Sequence, residues 1–179
     1  MYCRKCVPAQ SECIISGRIA EVYKGTPIQL VLKGRFSADY LNGIEAVAES
    51  VYDAKSGNLL ANYTEVRTKI ATYLIDHTNN TCTKGVGFPV TRLCTDTPGL
   101  KYIDPWKMGT QMTDTYFYNE PTVNRSLTLT MFRDSFTQAA AVIDQTFQGV
   151  PQQVSVLYGN ETNGIHDTSI FILPPFCTV

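Results

Sequence analysis

The strongest constraint on the fold is an alternation of apolar and polar side chains that recurs between turn signals. In residues 29–40, QLVLKGRFSADY, one face carries Leu30, Leu32, Phe36, Ala38 and Tyr40. Charged and polar side chains occupy the intervening positions, and this period of two is typical of a half-buried β-strand. The dipeptide Asn42-Gly43 follows, and it favours a hairpin because both residues tolerate positive φ. The segment therefore predicts a strand that turns back on itself.

The same pattern continues along the chain. Further strands are predicted at 43–52, 59–68, 69–77, 126–132 and 152–159, with turns in DAKSGN (53–58) and TNN (78–80). In residues 126–132, Leu127, Leu129 and Met131 share one face. Short turns between successive strands indicate an antiparallel meander. We expect a mainly β, β-rich α+β chain that forms one domain over residues 1–179.

Two segments depart from the alternation. Residues 135–147 place Ala139, Val142, Ile143 and Phe147 at helical spacing, and a capping-box pattern begins at Ser135. We predict a short helix there, with a strand as the rival interpretation.

Residues 91–125 are irregular and rich in proline and glycine, yet they hold an aromatic group: Tyr102, Trp106, Tyr116, Phe117 and Tyr118. Such a group suits a pocket rim or a dimer interface. The alternative is a folded loop that covers the sheet edge.

Composition narrows the function classes. The net charge is −1, only 17% of residues are charged, and no block of like charge occurs. Nucleic-acid and anionic membrane surfaces require clustered Lys and Arg, so neither partner is expected. No apolar run reaches the roughly 18 residues of a transmembrane helix. The opening MYCRKCVPAQ has no apolar signal-peptide core, and we take Met1 as an added start or as the edge of a mature chain, so the missing leader does not indicate a cytosolic location.

Six cysteines set the redox environment. They are Cys3, Cys6, Cys13, Cys82, Cys94 and Cys177, an even number that suits three disulfides in any of fifteen connectivities. Buried thiols and a zinc site at Cys3-x-x-Cys6 are the alternatives. Four N-x-[ST] sequons favour disulfides in a secreted glycoprotein, and their acceptors are Asn62, Asn79, Asn124 and Asn160. We expect disulfides to pin the cysteine-rich residues 1–13.

Several short motifs resemble the ependymin-related family. The stretch YLIDHTNNTCTK (73–84) resembles the family's strand-and-turn signature, and FILPPFC (171–177) resembles its C-terminus with paired prolines before a late cysteine. RFSADY (35–40) and CVPAQ (6–10) are similar to earlier landmarks. The resemblance implies a secreted glycoprotein with two stacked, curved antiparallel sheets that enclose an apolar pocket, as in lipoprotein carriers. It also implies hydrophobic ligands, calcium, and homodimers or dimers with a related subunit.

Catalytic motifs are missing from the sequence, and His166-Asp167 near a serine is an arrangement that many chains offer by chance. We expect a non-enzymatic carrier of a lipid, a fatty acid or a carotenoid-type pigment, without a catalytic cofactor. The alternative is a calcium-dependent adhesion or matrix glycoprotein, although the scattered acids define no calcium site. The predicted ligand-binding residues, any of which could instead pack a dry core, are Leu30, Leu32, Phe36, Tyr40, Tyr102, Trp106, Tyr116, Phe117, Tyr118, Leu127, Leu129 and Met131.

Overall fold

A computed structural model of the chain describes residues 5–120, 124–147 and 149–177. Within these residues the chain forms eleven antiparallel strands. The strands are β1 (Gln10–Tyr23), β2 (Thr26–Asp39), β3 (Ile44–Asp53), β4 (Leu59–Thr68), β5 (Ala71–Asp76), β6 (Thr81–Val86), β7 (Lys101–Met108), β8 (Gln111–Glu120), β9 (Arg125–Phe132), β10 (Gln138–Phe147) and β11 (Val150–Asn163). Their spatial order is β6-β5-β4-β3-β2-β1-β11-β10-β9-β8-β7. The prediction of a mainly antiparallel β fold is confirmed.

The strands form one continuous sheet instead of the two stacked sheets that the resemblance implies. Strands β1 to β6 are one meander and β7 to β11 are another. The 14-residue strand β1 pairs with β2 on one side and with β11 on the other, so it joins the two meanders. Because β1 satisfies backbone groups on both of its edges, no break divides the sheet.

Aspartates at strand ends build three of the predicted turns. Asp39, Asp53 and Asp76 are the last residues of β2, β3 and β5. Each side chain accepts hydrogen bonds from the backbone N–H groups two and three residues further on. This Asx geometry substitutes for backbone bonds that the turn cannot make. It fixes the hairpin registers on which the face of every side chain depends.

One face of the sheet is concave. Fourteen residues, 87–100, connect β6 at one edge to β7 at the other. A flat sheet of this size would be roughly 48 Å wide, close to the roughly 50 Å that fourteen extended residues can span. The connection contains turns, since the N–H groups of Thr97 and Leu100 bond to the carbonyls of Cys94 and Thr97. Its reach is therefore shorter than the flat width, and the sheet must curve.

Two glycines accommodate this curvature. A Cβ at Gly17 would lie 2.1 Å from the carbonyl oxygen of Ser155, and one at Gly34 would lie 2.1 Å from that of Ala48. Glycines of this kind mark tight bends in barrel-like sheets. Gly17 and Gly34 share a face with Ile15 and Leu32, which are buried. We call this concave side the inner face and the opposite side the outer face.

The C-terminal segment covers part of the outer face. Short 3₁₀ helices at Thr168–Phe171 and Pro175–Cys177 bring Ile170 and Cys177 against Ala46, Val66 and Ile75. A disulfide joins Cys82 of β6 to Cys177. Arg35 of β2 forms a 2.7 Å ion pair with Asp167, the N-cap of the first 3₁₀ helix. The segment is therefore attached to the sheet by a covalent bond, an ion pair and apolar contacts.

The predicted helix at 135–147 is wrong, because β10 occupies this region. Ala141 and Ile143 pack on the inner face, while the alternate positions face outward, and Ala139 is buried where the register with β9 shifts. Small and apolar side chains on both faces hide the period of two. Phe136 adopts a φ of 54°, which a helix cannot include, and it forms the turn between β9 and β10.

The prediction that residues 91–125 are irregular is also wrong over much of their length. This region contains β7, β8 and the start of β9. Pro105 lies in β7, the outermost strand, where a proline removes no hydrogen bond that the sheet needs. In this chain the proline and glycine residues of β7 and of the turn that follows it therefore belong to a hairpin at the sheet edge and do not indicate an irregular loop.

The cysteine prediction is wrong for Cys13, which is a buried free thiol on β1. The described disulfides are Cys6–Cys94 and Cys82–Cys177. Backbone bonds from Val7 to Leu93 and from Thr95 to Lys5 flank the first bridge, which ties the N-terminal segment to the connection 87–100. Cys3 lies outside the described residues. No helix in the described ranges is long and apolar enough to cross a membrane.

Candidate ligand-binding face

The inner face carries two adjoining apolar clusters. The first centres on β1, β2, β3 and β11, and its buried residues are Cys13, Ile15, Ile19, Leu32, Val51, Val154 and Val156. The second lies on β8, β9 and β10, and its buried residues include Tyr116, Leu129, Met131 and Ala141. Ile143 and Tyr158 touch both clusters. The face is therefore one apolar surface that continues from the first meander to the second.

Part of this surface remains open to solvent. Six hydrophobic residues that pack on the first cluster are only half-buried, namely Leu30, Phe36, Val47, Ala61, Ile143 and Tyr158. Within the described residues no strand or helix lies over them, since the 3₁₀ helices contact β3, β4 and β6 on the outer face. A concave apolar surface with half-exposed side chains suits a hydrophobic guest.

The second cluster has a cover at one end. Val7 of the N-terminal segment is buried against it, and Leu93 and Leu100 of the connection 87–100 pack beside it. The Cys6–Cys94 disulfide holds these two segments together. The open part of the inner face is consequently the region of the first cluster.

The predicted ligand-binding residues divide by position. Leu32, Tyr116, Leu129 and Met131 are buried in the clusters, and Met131 has no exposed surface at all. These four pack the core of the face. Half-buried residues on the inner face are Leu30, Phe36, Tyr40, Tyr118 and Leu127. The second set can contact a bound molecule, while the first supports it.

The remaining three aromatic candidates lie elsewhere. The alternation of β8 turns Phe117 to the outer face, because its neighbours Tyr116 and Tyr118 face inward. Trp106 is 63% exposed and lies opposite Thr113, which is on the same outer face of β8 as Phe117. Tyr102 is 55% exposed but makes an edge-to-face ring contact with Tyr116 at 5.7 Å. It marks the rim of the inner face at the β7 edge.

Four lining residues were not predicted: Val47, Ala61, Ile143 and Tyr158. Val47 alternates with Ala46 and Ala48, and both faces of β3 bury apolar side chains because the C-terminal segment covers the outer one. The apolar residues of β3 therefore lie on both of its faces, and alternation could not show which of them line the inner face. Tyr158 could have been found from the alternation of β11, where Val154, Val156 and Tyr158 share a face.

An open cleft continues the inner face at the ends of β1, β2, β10 and β11. Its volume is about 450 Å³, and its inward-facing residues include Glu21, Ile28, Gln145 and Gln152. Gln152 donates a 2.7 Å hydrogen bond to Glu21. Two residues further along the same faces are Ile19, Leu30, Ile143 and Val154 of the first cluster. The cleft is thus a polar mouth beside an apolar lining.

A carboxyl group interrupts the apolar lining. Glu49 projects from β3 between Val47 and Val51, with Gly34 opposite on β2 and Tyr63 opposite on β4. Its side chain forms no hydrogen bond or ion pair with the described residues. Burial, followed by repulsion from the Glu65 carboxylate, raises the pKa of Glu49 to about 7, while Arg67 opposes the shift. Near neutral pH this acid changes its charge inside the lining.

Three more charged groups neighbour Glu49 on the inner face. Arg67 of β4 binds both oxygens of Glu65, at 2.7 and 2.8 Å, and one oxygen of Glu45 at 3.0 Å. Burial alone would lower the pKa of Arg67, but the two carboxylates raise it. The single positive charge of Arg67 is therefore shared by two carboxylates that it already binds, and none of its hydrogen bonds reaches Glu49.

Cys13 is unsuited to catalysis. It lies on the inner face, and burial raises the pKa of its thiol to about 12. A neutral thiol is a weak nucleophile. Asp167, considered with His166 at the sequence level, is held by Arg35 and Ser169. No group of three His, Cys, Asp or Glu side chains is placed to hold a metal ion in the described part of the chain.

Fold and site together define an antiparallel single-sheet protein with an accessible apolar inner face. No protein-family model and no curated protein matches the chain. An uncharacterized conserved protein of Thermus thermophilus is similar in fold, with a TM-score of 0.53 and 11% identity over 94% of this chain and 87% of that one.

Two more distant solved structures are similar over most of their length. A DUF1329 family protein of Desulfovibrio piger has 7% identity over 92% of this chain and 90% of its own, with a TM-score of 0.41. A putative outer membrane lipoprotein-sorting protein domain of Vibrio parahaemolyticus has 4% identity over 90% and 89%, with a TM-score of 0.39.

Proposed function

We propose that the protein is a secreted, non-enzymatic glycoprotein, related to the ependymins, that carries a hydrophobic small molecule on its inner face. The observation that carries this proposal is the row of half-buried hydrophobic residues over which no regular element lies. Leu30, Phe36, Val47, Ala61 and Ile143 belong to it. Covering such side chains contributes roughly 25 cal/mol per Å² of apolar area, so an acyl chain or polyene would gain substantially by binding there.

Two further features support export and glycosylation. Disulfides persist in oxidising compartments, and the described part of the chain contains two of them. The four sequon asparagines Asn62, Asn79, Asn124 and Asn160 are exposed. Expression in a secreting eukaryotic host should give a protein whose mass falls when N-glycans are removed enzymatically. A protein that leaves the host without any glycan would contradict this part of the proposal.

The carrier function can be tested with Nile red, a neutral hydrophobic dye. Ala61 is half-buried on the inner face, opposite Val51, and Ala61→Phe would fill the space beside it. We expect the wild-type chain to bind the dye and Ala61→Phe to bind at least about tenfold more weakly, as measured by fluorescence titration. The matched control is Ser155→Phe, which adds the same ring at an exposed position on the outer side of β11.

The control should bind like the wild type. Equal binding by Ala61→Phe, or no binding by the wild-type chain, would overturn the carrier proposal. Circular dichroism of each variant verifies that the sheet has formed.

A further inference from the structure

Apolar surfaces that bind hydrophobic molecules rarely contain carboxyl groups, so the position of Glu49 indicates what kind of molecule this surface binds. It lies between Val47 and Val51 within the first cluster. Glu49 is half-buried, and an acid that is partly withdrawn from water without a hydrogen-bond partner is costly to keep, because its charged form loses hydration and gains nothing in return. The open side of the lining is where a partner for this carboxyl could enter.

The charges around Glu49 determine which partner fits. The neighbouring strand β2 contributes only Gly34 opposite it, β4 contributes Tyr63, Glu65 and Arg67, and β3 itself contributes Glu45. Three carboxyl groups thus face one guanidinium. Arg67 is already bound to Glu45 and Glu65. The local charge is negative even when Glu49 is protonated, and it becomes more negative when Glu49 ionises.

We propose that the carried molecule is a cationic amphiphile, whose apolar chain lies along Leu30, Phe36 and Ile143 and whose ammonium group pairs with Glu49. This inference rests on the proposed carrier function and narrows it. A fatty acid would bring a second carboxylate beside Glu49, Glu65 and Glu45, where like charges repel strongly in partly desolvated surroundings. An ammonium group supplies the hydrogen bonds and the charge that Glu49 lacks.

Gly34 makes room for this head group. The position directly across from Glu49 on β2 has no side chain, and the backbone of β3 at Ala48 occupies the place that a Cβ would take. Strand β2 therefore puts no side chain beside the Glu49 carboxyl on the inner face. A compact ammonium group can approach the carboxyl there more easily than a bulkier head group can.

Three probes with the same chain and different head groups test the proposal: dodecylamine, dodecanoic acid and dodecanol, each below its micelle concentration. Binding to the full chain at pH 8 is measured by isothermal titration calorimetry. We expect dodecylamine to bind at least about tenfold more tightly than dodecanoate. Glu49→Gln should reduce the affinity for the amine about tenfold and leave that for dodecanol unchanged. Asp134→Asn removes a carboxylate from an exposed turn and should change none of the three affinities.

Proton linkage gives a second measurement that needs no variant. Pairing with the amine holds Glu49 ionised, so binding at pH 6.5 should release most of one proton, seen as a dependence of the binding enthalpy on the buffer. Affinity for the amine should rise between pH 6 and 8, and Glu49→Gln should abolish both effects. Binding without proton release would overturn the proposal.

The outcomes separate this inference from the carrier function. Tighter binding of dodecanoate or dodecanol than of dodecylamine would overturn the cationic ligand and leave a hydrophobic carrier in place. If none of the three chains binds, the carrier function itself fails.

Discussion

At the scale of single residues, Glu49 should make the protein less stable as the pH rises. The folded chain keeps this carboxyl protonated up to about pH 7, whereas the unfolded chain releases the proton near the ordinary glutamate pKa of 4.5. Between these pH values the folded state binds more protons, so the free energy of unfolding falls with increasing pH. Glu49→Gln removes this loss. Above pH 7 we expect the free energy of unfolding of the variant to exceed that of the wild type by up to about 3 kcal/mol, since a difference of one pKa unit corresponds to about 1.36 kcal/mol.

Urea denaturation at several pH values between 4 and 8 measures this difference. The stability of Asp134→Asn should follow the wild-type curve, because that carboxylate lies in an exposed turn. A constant difference between Glu49→Gln and the wild type over the whole range would contradict burial of the acid.

The sequence identified several residues of the site but missed the acid. Leu30, Phe36 and Leu127 were found because alternation along one strand sorts side chains into two faces. Glu49 alternates with Ala48 and looks like an ordinary solvent-facing acid. Its burial depends on Gly34 and Tyr63, which register places across from it on other strands. No local pattern in one sequence reports that neighbourhood.

Individual strands depend on glycine where the sheet bends. Gly17→Ala would put a methyl group 2.1 Å from the carbonyl oxygen of Ser155 on β11, so the strands would have to separate. We expect the free energy of unfolding to fall by about 3 kcal/mol, the upper part of the range for overpacking. The measurement is urea denaturation at constant pH.

Gly85 supplies the matched control on β6. The nearest atom to a Cβ at Gly85 is the Thr72 carbonyl oxygen at 3.8 Å, an ordinary contact. Gly85→Ala should therefore change stability by less than about 0.5 kcal/mol, as for most exposed substitutions. Equal effects of the two alanines would contradict a bend at Gly17.

Some strands could be predicted from the sequence and others could not. Strands with one apolar face and a clear turn, such as β2 and β9, were predicted correctly. Strand β10 was taken for a helix because its small residues around Ala139 and Ala141 suit both faces. Strands β7 and β8 were missed because an edge strand tolerates Pro105 and exposes its aromatic side chains. Their pairing with the rest of the sheet lies beyond local sequence.

For the molecule as a whole, the two disulfides among the described residues have different roles. Cys6–Cys94 joins the N-terminal segment to the connection between the two sheet edges, and the residues beside it pack on the inner face. Cys82–Cys177 fixes the C-terminal segment on the outer face. The spacing of the cysteines could not predict these disulfides, because their partners are 88 and 95 residues apart in the sequence. Each disulfide closes a long loop, and by the loss of chain entropy in the unfolded state it is expected to contribute about 4–5 kcal/mol to stability.

Replacing each bridge by a pair of serines should separate stability from binding. We expect both double variants, Cys6→Ser with Cys94→Ser and Cys82→Ser with Cys177→Ser, to unfold at lower urea concentrations than the wild type. Without urea, only the variant that lacks Cys6–Cys94 should show altered Nile red binding, because Val7, Leu93 and Leu100 beside this bridge contact the inner face. Ile170 and Cys177, beside the other bridge, contact the outer face. Fluorescence titration and amide hydrogen exchange measure the two effects. Faster exchange in β6 should accompany loss of the second bridge alone, and a matching loss of dye binding in both variants would mean that the two faces are not independent.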